Sequence, residues 1–197
     1  MPSSVLFWIS SGILSFRISR NVVSSLERLV ERERESFPGA RWVQLANLHL
    51  TLRFLGETSE QVLCGMVRDL RASVARFPLF TLDCRGVGFF PSTRRPRVFW
   101  VGVSNPPVSL VQIHEEIESI ARRHGFEAET RKFSPHLTLA RFREPRFDSR
   151  FAEIEKELRD HHFGASRVRE LVMYGSILRP QGAEHQVLHK FLLSEVQ

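Results

Sequence analysis

The stretch NLHLTL at residues 47–52 returns as SPHLTL at 134–139, so a chain with eight histidines spells His-Leu-Thr-Leu twice. In an extended strand residues i and i+2 point to one face. His49 and Thr51, like His136 and Thr138, therefore form a pair of an imidazole and a hydroxyl, while the leucines beside them turn to the other face. One such pair is an ordinary polar strand face. Two pairs at matching places in two halves can line opposite walls of one groove. In-line displacement at phosphorus needs a base on the nucleophile side and an acid on the leaving-group side. Imidazole, titrating near neutrality, serves either role. The threonine hydroxyls and a cation would hold the non-bridging oxygens. The competing use of two histidines is a metal site, but no carboxylate stands at a convincing ligand spacing from either one. The expectation is a phosphodiester or cyclic phosphate handled without metal or cofactor.

The elements that must position these pairs follow from hydrophobic periodicity. A strand over 13–19 precedes an amphipathic helix over 21–37, and a strand over 47–56 precedes a helix over 59–77 marked by Val62, Met66 and Leu70. Strands at 79–90 and 97–103 are joined by the turn-rich PSTRRP. The order then begins again, with a helix over 108–125, a strand over 135–142, a helix over 149–164 and closing strands over 166–178 and 185–193. Such an order implies an internal duplication of two pseudo-equivalent α+β lobes, not a doubly wound parallel sheet. The expected organisation is a single two-lobed domain over 1–197. Its halves run over about 13–105 and 106–197, with strands free to exchange between them, and residues 1–12 form an N-terminal addition. No glycine-rich phosphate loop of the Walker or dinucleotide kind is present.

At 197 residues the chain can bury a proper core. Its formal charge of +6 suits an anionic partner if the charge gathers on one face. No long run of lysines suggests a disordered nucleic-acid-binding tail. Cys64 and Cys84 lack metal-ligand spacing and read as reduced core residues of a cytoplasmic protein. The apolar start is broken by Ser-Ser-Gly, lacks a basic leader and is too short to span a bilayer.

Together with their contexts RWVQLANLHLTLRFLGE, FFPSTRRPRVFWVGV and FSPHLTLARF, the two motifs resemble the RNA 2′,3′-cyclic phosphodiesterases of the two-histidine phosphoesterase superfamily, often labelled 2′-5′ RNA ligases. The resemblance runs from about residue 13 to the end. It implies a bilobal fold in which two antiparallel sheets form a V-shaped central cleft, with helices packed outside. It also implies hydrolysis of 2′,3′-cyclic phosphate ends of RNA or of nucleotides to 2′-phosphomonoesters. His49 then protonates the leaving 3′-oxygen, His136 activates water, and Thr51 and Thr138 bind the phosphate. Five residues past each histidine stand Phe54 and Arg141. By the resemblance Arg141 contacts the phosphate and Phe54 lies near the base. Strict alternation gives both residues the parity of the leucines, which face the core unless the strand ends, twists or bulges. A buried unpaired arginine is costly, so Arg141 is expected in the site. An apolar strand residue such as Phe54 is core by default.

Arg94, Arg95 and Arg97 read as a solvated turn with some capacity to grip an RNA backbone, and Arg131 and Lys132 as added charge at the cleft mouth. His114 and His124 read as helix-surface residues, His161 and His162 as the close of a helix, and His185 and His189 as one exposed strand face. Expected partners are RNA 3′ ends or nucleoside 2′,3′-cyclic phosphates, with no membrane, and the chain is expected to be a monomer. Two rival functions fit the same residues: RNA end joining through 2′-5′ linkages, and a non-catalytic nucleotide or RNA-binding module.

Overall fold

A computed structural model describes the backbone of residues 9–143, 148–179 and 182–195, and the side chains of 12–143, 148–175 and 186–195. Residues 1–8, most of the expected N-terminal addition, and the side chain of His185 lie outside this description. Residues 9–12 belong to the first strand.

In chain order the elements are β1 (Ile9–Arg17), α1 (Arg20–Arg34), β2 (Ala40–Trp42), a 3₁₀ turn (Leu45–Asn47), β3 (His49–Thr58), α2 (Glu60–Val74), β4 (Phe80–Phe90), β5 (Val98–Ser104), α3 (Val108–Arg123), β6 (His136–Phe142), α4 (Ser149–Glu157), β7 (His162–Val168), β8 (Glu170–Arg179) and β9 (Gly182–Leu192). The strands run antiparallel in the order β7-β4-β5-β6-β3-β1-β8-β9, with β2 on β6. The nine strands form one continuous sheet, whose two antiparallel halves, β9-β8-β1-β3 and β6-β5-β4-β7, meet where β3 pairs with β6 at Leu50 and Leu137 and serve as the sheets of the two lobes. The expected α+β architecture of two lobes with helices outside holds.

Each helix forms because its apolar residues recur at helical spacing and find a sheet to cover. On α1 the buried set is Val22, Leu26, Leu29 and Val30, and on α3 it is Leu110, Ile113, Ile117, Ile120 and Ala121. On α2 the stripe passes through Leu63, Met66 and Leu70, not through Val62, which stays partly exposed. The Ser59 hydroxyl caps this helix by accepting from the Val62 N–H at 3.4 Å. Between α1 and α4, the fully buried Glu33 carboxylate accepts from Arg150 at 2.6 and 3.1 Å and from Arg32 at 2.7 Å. That network ties α4 to α1.

Two expectations about the closing segments change. The helix expected over 149–164 stops at Glu157, and His162 already belongs to β7. The reason is tertiary: β4 offers a free edge, and β7 pairs along it from Phe80–Val168 to Arg85–His162 while Phe163 and Val168 enter the core. The strand expected over 166–178 is really two. At Arg169 the chain leaves β4 and crosses to β1, where Leu171–Ser176 pair with Phe16–Ser11. The C-terminal strands β8 and β9 thereby complete the sheet that carries the first motif, and β4 and β5 complete the one that carries the second.

Cys84 is fully buried, and desolvation, helped by the neighbouring Asp83 charge, pushes its thiol up to about 12. Cys64 is exposed on α2, contrary to its expected place in the core.

Candidate active site

Both motifs open a strand at the seam between the sheets. Continuing the antiparallel register from Leu50–Leu137 sets His49 opposite Thr138 and Thr51 opposite His136. The two imidazoles therefore sit on a diagonal, with Cα atoms about 7–8 Å apart by standard sheet geometry. Leu50, Leu52, Leu137 and Leu139 are buried beneath them, while His49, Thr51, His136 and Thr138 are partly exposed on the other face. The alternation read from the sequence puts these four side chains where expected.

Each ring is held in the same way. Nδ1 of His49 donates to the Asn47 carbonyl at 2.7 Å, and Nδ1 of His136 donates to the Ser134 carbonyl at 2.7 Å. A carbonyl only accepts, so each Nδ1 carries the proton and each Nε2 is the nitrogen that can exchange one with a substrate. An aromatic ring flanks each imidazole: Tyr174 of β8 at 6.2 Å from His49, and Phe90 of β4 at 5.1 Å from His136. Burial is the main reason the His136 pKa falls below the ordinary imidazole value. The carbonyl of Ser134 opposes that fall, and the Arg141 charge adds to it.

The strand parity of the fifth residue resolves through a pair of matching bulges. On β3 the partners of β1 step from Thr51, opposite Ser15, to Arg53, opposite Leu14, so Leu52 is the extra residue. On β6 the partners of β5 step from Thr138, opposite Trp100, to Ala140, opposite Phe99, so Leu139 is the extra residue. One inserted residue resets the alternation. Phe54 and Arg141 consequently emerge on the histidine face. Phe54 is 54% exposed, which overturns its default place in the core, and Arg141 is exposed.

A hollow of about 570 Å³ lies along this face. Thr51, Phe54, Phe90, His136, Thr138 and Arg141 line it, together with His114, Phe133 and Lys132. His49 lines a neighbouring hollow of about 640 Å³ on the β1 side, with Arg17, Asn47 and Tyr174. The two hollows meet the two ends of the histidine diagonal. Arg131 also lines the first hollow, but its guanidinium is bound by the Glu129 carboxylate at 2.8 and 3.1 Å. Arg97 reaches it too, donating to the Arg143 carbonyl at 2.7 Å, while Arg94 and Arg95 are exposed in the turn and line neither hollow.

Sequence reasoning missed His114, Arg17 and Tyr174. His114 is not a helix-surface residue: its ring stacks on Phe133 at 3.9 Å, and burial lowers its pKa. Nothing in the spacing of α3 marks it, because the loop that brings Phe133 over it is placed only by packing. His124 likewise turns inward, its Nε2 lying 2.9 Å from the Asp69 carboxylate of α2. His162 lies 2.8 Å from Asp83 across β4 and β7, and His189 is exposed on β9 as expected. Among the described residues no three His, Cys, Asp or Glu side chains gather as metal ligands would. Nor is any helix there long and apolar enough to cross a membrane.

Comparison with known proteins agrees with the doubled motif. The family described as LigT like Phosphoesterase matches this chain twice, over residues 17–100 and 101–183. The chain is 36% identical over 169 residues to a protein of Aeropyrum pernix named RNA 2′,3′-cyclic phosphodiesterase, covering 86% of this chain and 95% of that one. A Thermotoga maritima protein of the same name is 32% identical over 179 residues, covering 90% and 92%. Among solved structures, one from Thermus thermophilus superposes with a TM-score of 0.78 at 25% identity, covering 92% of this chain and 97% of that one. The structure of E. coli LigT complexed with 3′-AMP gives 0.73 at 24% identity over 93% and 98%, a likeness of fold.

Proposed function

This chain belongs to the LigT like phosphoesterase family, and from that premise we propose that it hydrolyses the 2′,3′-cyclic phosphate ends of RNA or nucleotides to 2′-phosphomonoesters by metal-independent acid–base catalysis. The observation that carries the proposal is the pair of imidazoles, set diagonally across β3 and β6, each with Nδ1 tied to a backbone carbonyl and Nε2 as the nitrogen for proton transfer.

In this reading His136 is the general base. Burial lowers its pKa and so favours the neutral form that a base needs. Its Nε2 takes a proton from water as the water oxygen bonds to phosphorus in line with O3′. The P–O3′ bond breaks, its electron pair stays on O3′, and His49 Nε2–H supplies the proton that makes the 3′-hydroxyl. The phosphate remains on O2′, and the histidines end with their protonation states exchanged. Thr51 and Thr138, each directly opposite a histidine, donate to the non-bridging oxygens, and Arg141 offers them a two-pronged guanidinium. Phe54 stacks on the terminal base. The groups facing the phosphate are hydroxyls, imidazoles and a guanidinium, a set that suits an anion rather than a cation. Two free thiols suit a reducing, cytoplasmic setting, in which the chain works as a monomer.

The deciding experiment incubates the protein in EDTA with the four nucleoside 2′,3′-cyclic monophosphates and with a short RNA ending in a cyclic phosphate. The expected product is the 2′-phosphate alone, formed at the same rate with and without chelator. A 3′-phosphate product would reverse the assigned leaving group, and chelator sensitivity would overturn the metal-independent mechanism. Adding an RNA with a 5′-hydroxyl tests joining in the same tube.

The pH dependence has a fixed sign on one limb. Protonating His136 removes the base, so kcat/KM falls as pH drops through its pKa, and that pKa is depressed. The acid limb is therefore expected below the ordinary imidazole value, near 6.5. The opposite limb reports loss of the proton from His49. A profile measured from about pH 4 to 9 whose acid limb lay above that value would contradict the assignment of His136 as the buried base.

A further inference from the structure

The hollow beside His49 is not used by the mechanism above. It is as roomy as the one that takes the terminal nucleoside, about 640 against about 570 Å³. Its walls differ in kind from a simple apolar gap. Arg17 at the end of β1 and Arg20 at the start of α1 bring two guanidinium groups, Tyr174 brings a phenol ring, and Glu27 is the single acidic side chain in the lining.

The approximate twofold relation between the sheets shows what has been added here. Arg17 pairs with His49 across β1 and β3, at the place where Gly102 pairs with His136 across β5 and β6. Tyr174, opposite Ile13, matches Phe90, opposite Val98. Both lobes thus set an aromatic ring beside the catalytic imidazole, but only the His49 lobe adds a cation at this paired position. That cation is preorganised. The Arg17 Nε–H donates to the Tyr174 hydroxyl at 2.9 Å, and its guanidinium carbon lies 5.9 Å from the Tyr174 ring centre. Among the described residues no carboxylate pairs with Arg17, unlike Arg131, whose charge Glu129 already binds. A guanidinium anchored at the hydroxyl edge of an aromatic ring and beside a second arginine suits a phosphodiester followed by a base.

Resting on the phosphodiesterase reading of the same site, we propose that the hollow lined by Arg17, Arg20 and Tyr174 is a second nucleotide subsite. It takes the penultimate nucleotide of an RNA chain whose terminal cyclic phosphate lies between His49 and His136. The 5′-linking phosphodiester of the terminal nucleoside meets Arg17, and the next base packs on Tyr174. A mononucleotide cannot reach this subsite, so the chain discriminates RNA ends from free cyclic nucleotides.

The test compares adenosine 2′,3′-cyclic phosphate with the dinucleotide ApA carrying a 2′,3′-cyclic phosphate, on wild type, Arg17→Gln and Tyr174→Phe. Wild type is expected to favour the dinucleotide in kcat/KM by about tenfold or more, the scale of a charge-assisted phosphate contact. Arg17→Gln should collapse that ratio, mostly through KM, and should flatten its dependence on salt. Tyr174→Phe, which removes the acceptor for the Arg17 Nε–H, should fall between. A wild-type ratio near one, or a ratio that survives Arg17→Gln, overturns the subsite while leaving the phosphodiesterase reading intact. Absence of turnover on both substrates overturns that reading instead. A binding measurement then decides the subsite by itself. Calorimetric titration with ApA bearing a 2′-phosphate, against 2′-AMP, should show tighter binding of the dinucleotide to wild type, and equal affinities would refute the subsite.

Discussion

Replacing His136 with alanine is expected to lower kcat/KM on cyclic phosphate substrates by about 10²–10⁴-fold, the scale of losing one acid–base group, with the folded structure retained. Replacing His49 should cost a comparable factor. Both rings stand on the partly exposed face of their strands, and the leucines that carry the core lie on the other. Thermal unfolding of either variant should therefore stay close to wild type. The pH profiles separate the two roles. Removing the base removes the acid limb, whereas removing the acid removes the opposite limb. Because the histidines act on one proton transfer each within a single step, the loss in the double variant should be much less than the product of the two single losses. Ordinary turnover by either single variant would sink the two-wall mechanism.

Arg141→Ala is expected to produce the second large loss, about 10²–10³-fold in kcat/KM, as for a donor aimed at a developing anionic oxygen. Its particular signature lies in the pH profile. The Arg141 charge is one of the causes that lower the His136 pKa, so removing it should move the acid limb upward. Arg141→Lys restores a charge without the two-pronged donor. It should return the acid limb toward the wild-type position while recovering little of the rate. A lysine variant with full activity would mean that charge alone suffices. An alanine variant that loses rate with no movement of the limb would separate Arg141 from His136.

Much of the site was legible because period-two alternation is a strong constraint. Once LHLTL is a strand with its leucines inside, His49 and Thr51 must share the outer face, and the same holds for His136 and Thr138. The fifth residue shows where alternation stops being enough. Phe54 and Arg141 carry the parity of the buried leucines, yet bulges at Leu52 and Leu139 turn both outward. No residue type in the strand announces a bulge, which arises from how β1 and β5 register against their neighbours. His114 illustrates a second limit. Its helix reads correctly, but its stacking on Phe133 depends on a loop that the helix pattern says nothing about.

By itself, then, the sequence determined the α+β class, the duplication, the main helices and strands, the faces of the two motif pairs and the family resemblance, because local periodicity and a repeated tetrapeptide carry all of these. Only the tertiary structure decided that β8 and β9 complete the first motif's sheet, that β7 replaces the end of a helix, and that His49 and His136 lie on a diagonal with each Nδ1 tied down. Each of these depends on a hydrogen-bonding edge or carbonyl whose place is set by how the strands pair. Arg17 and Tyr174, separated by most of the sequence yet joined at 2.9 Å beside His49, are the plainest case. Neither residue type nor spacing relates them until β1 pairs with β3 on one side and β8 on the other.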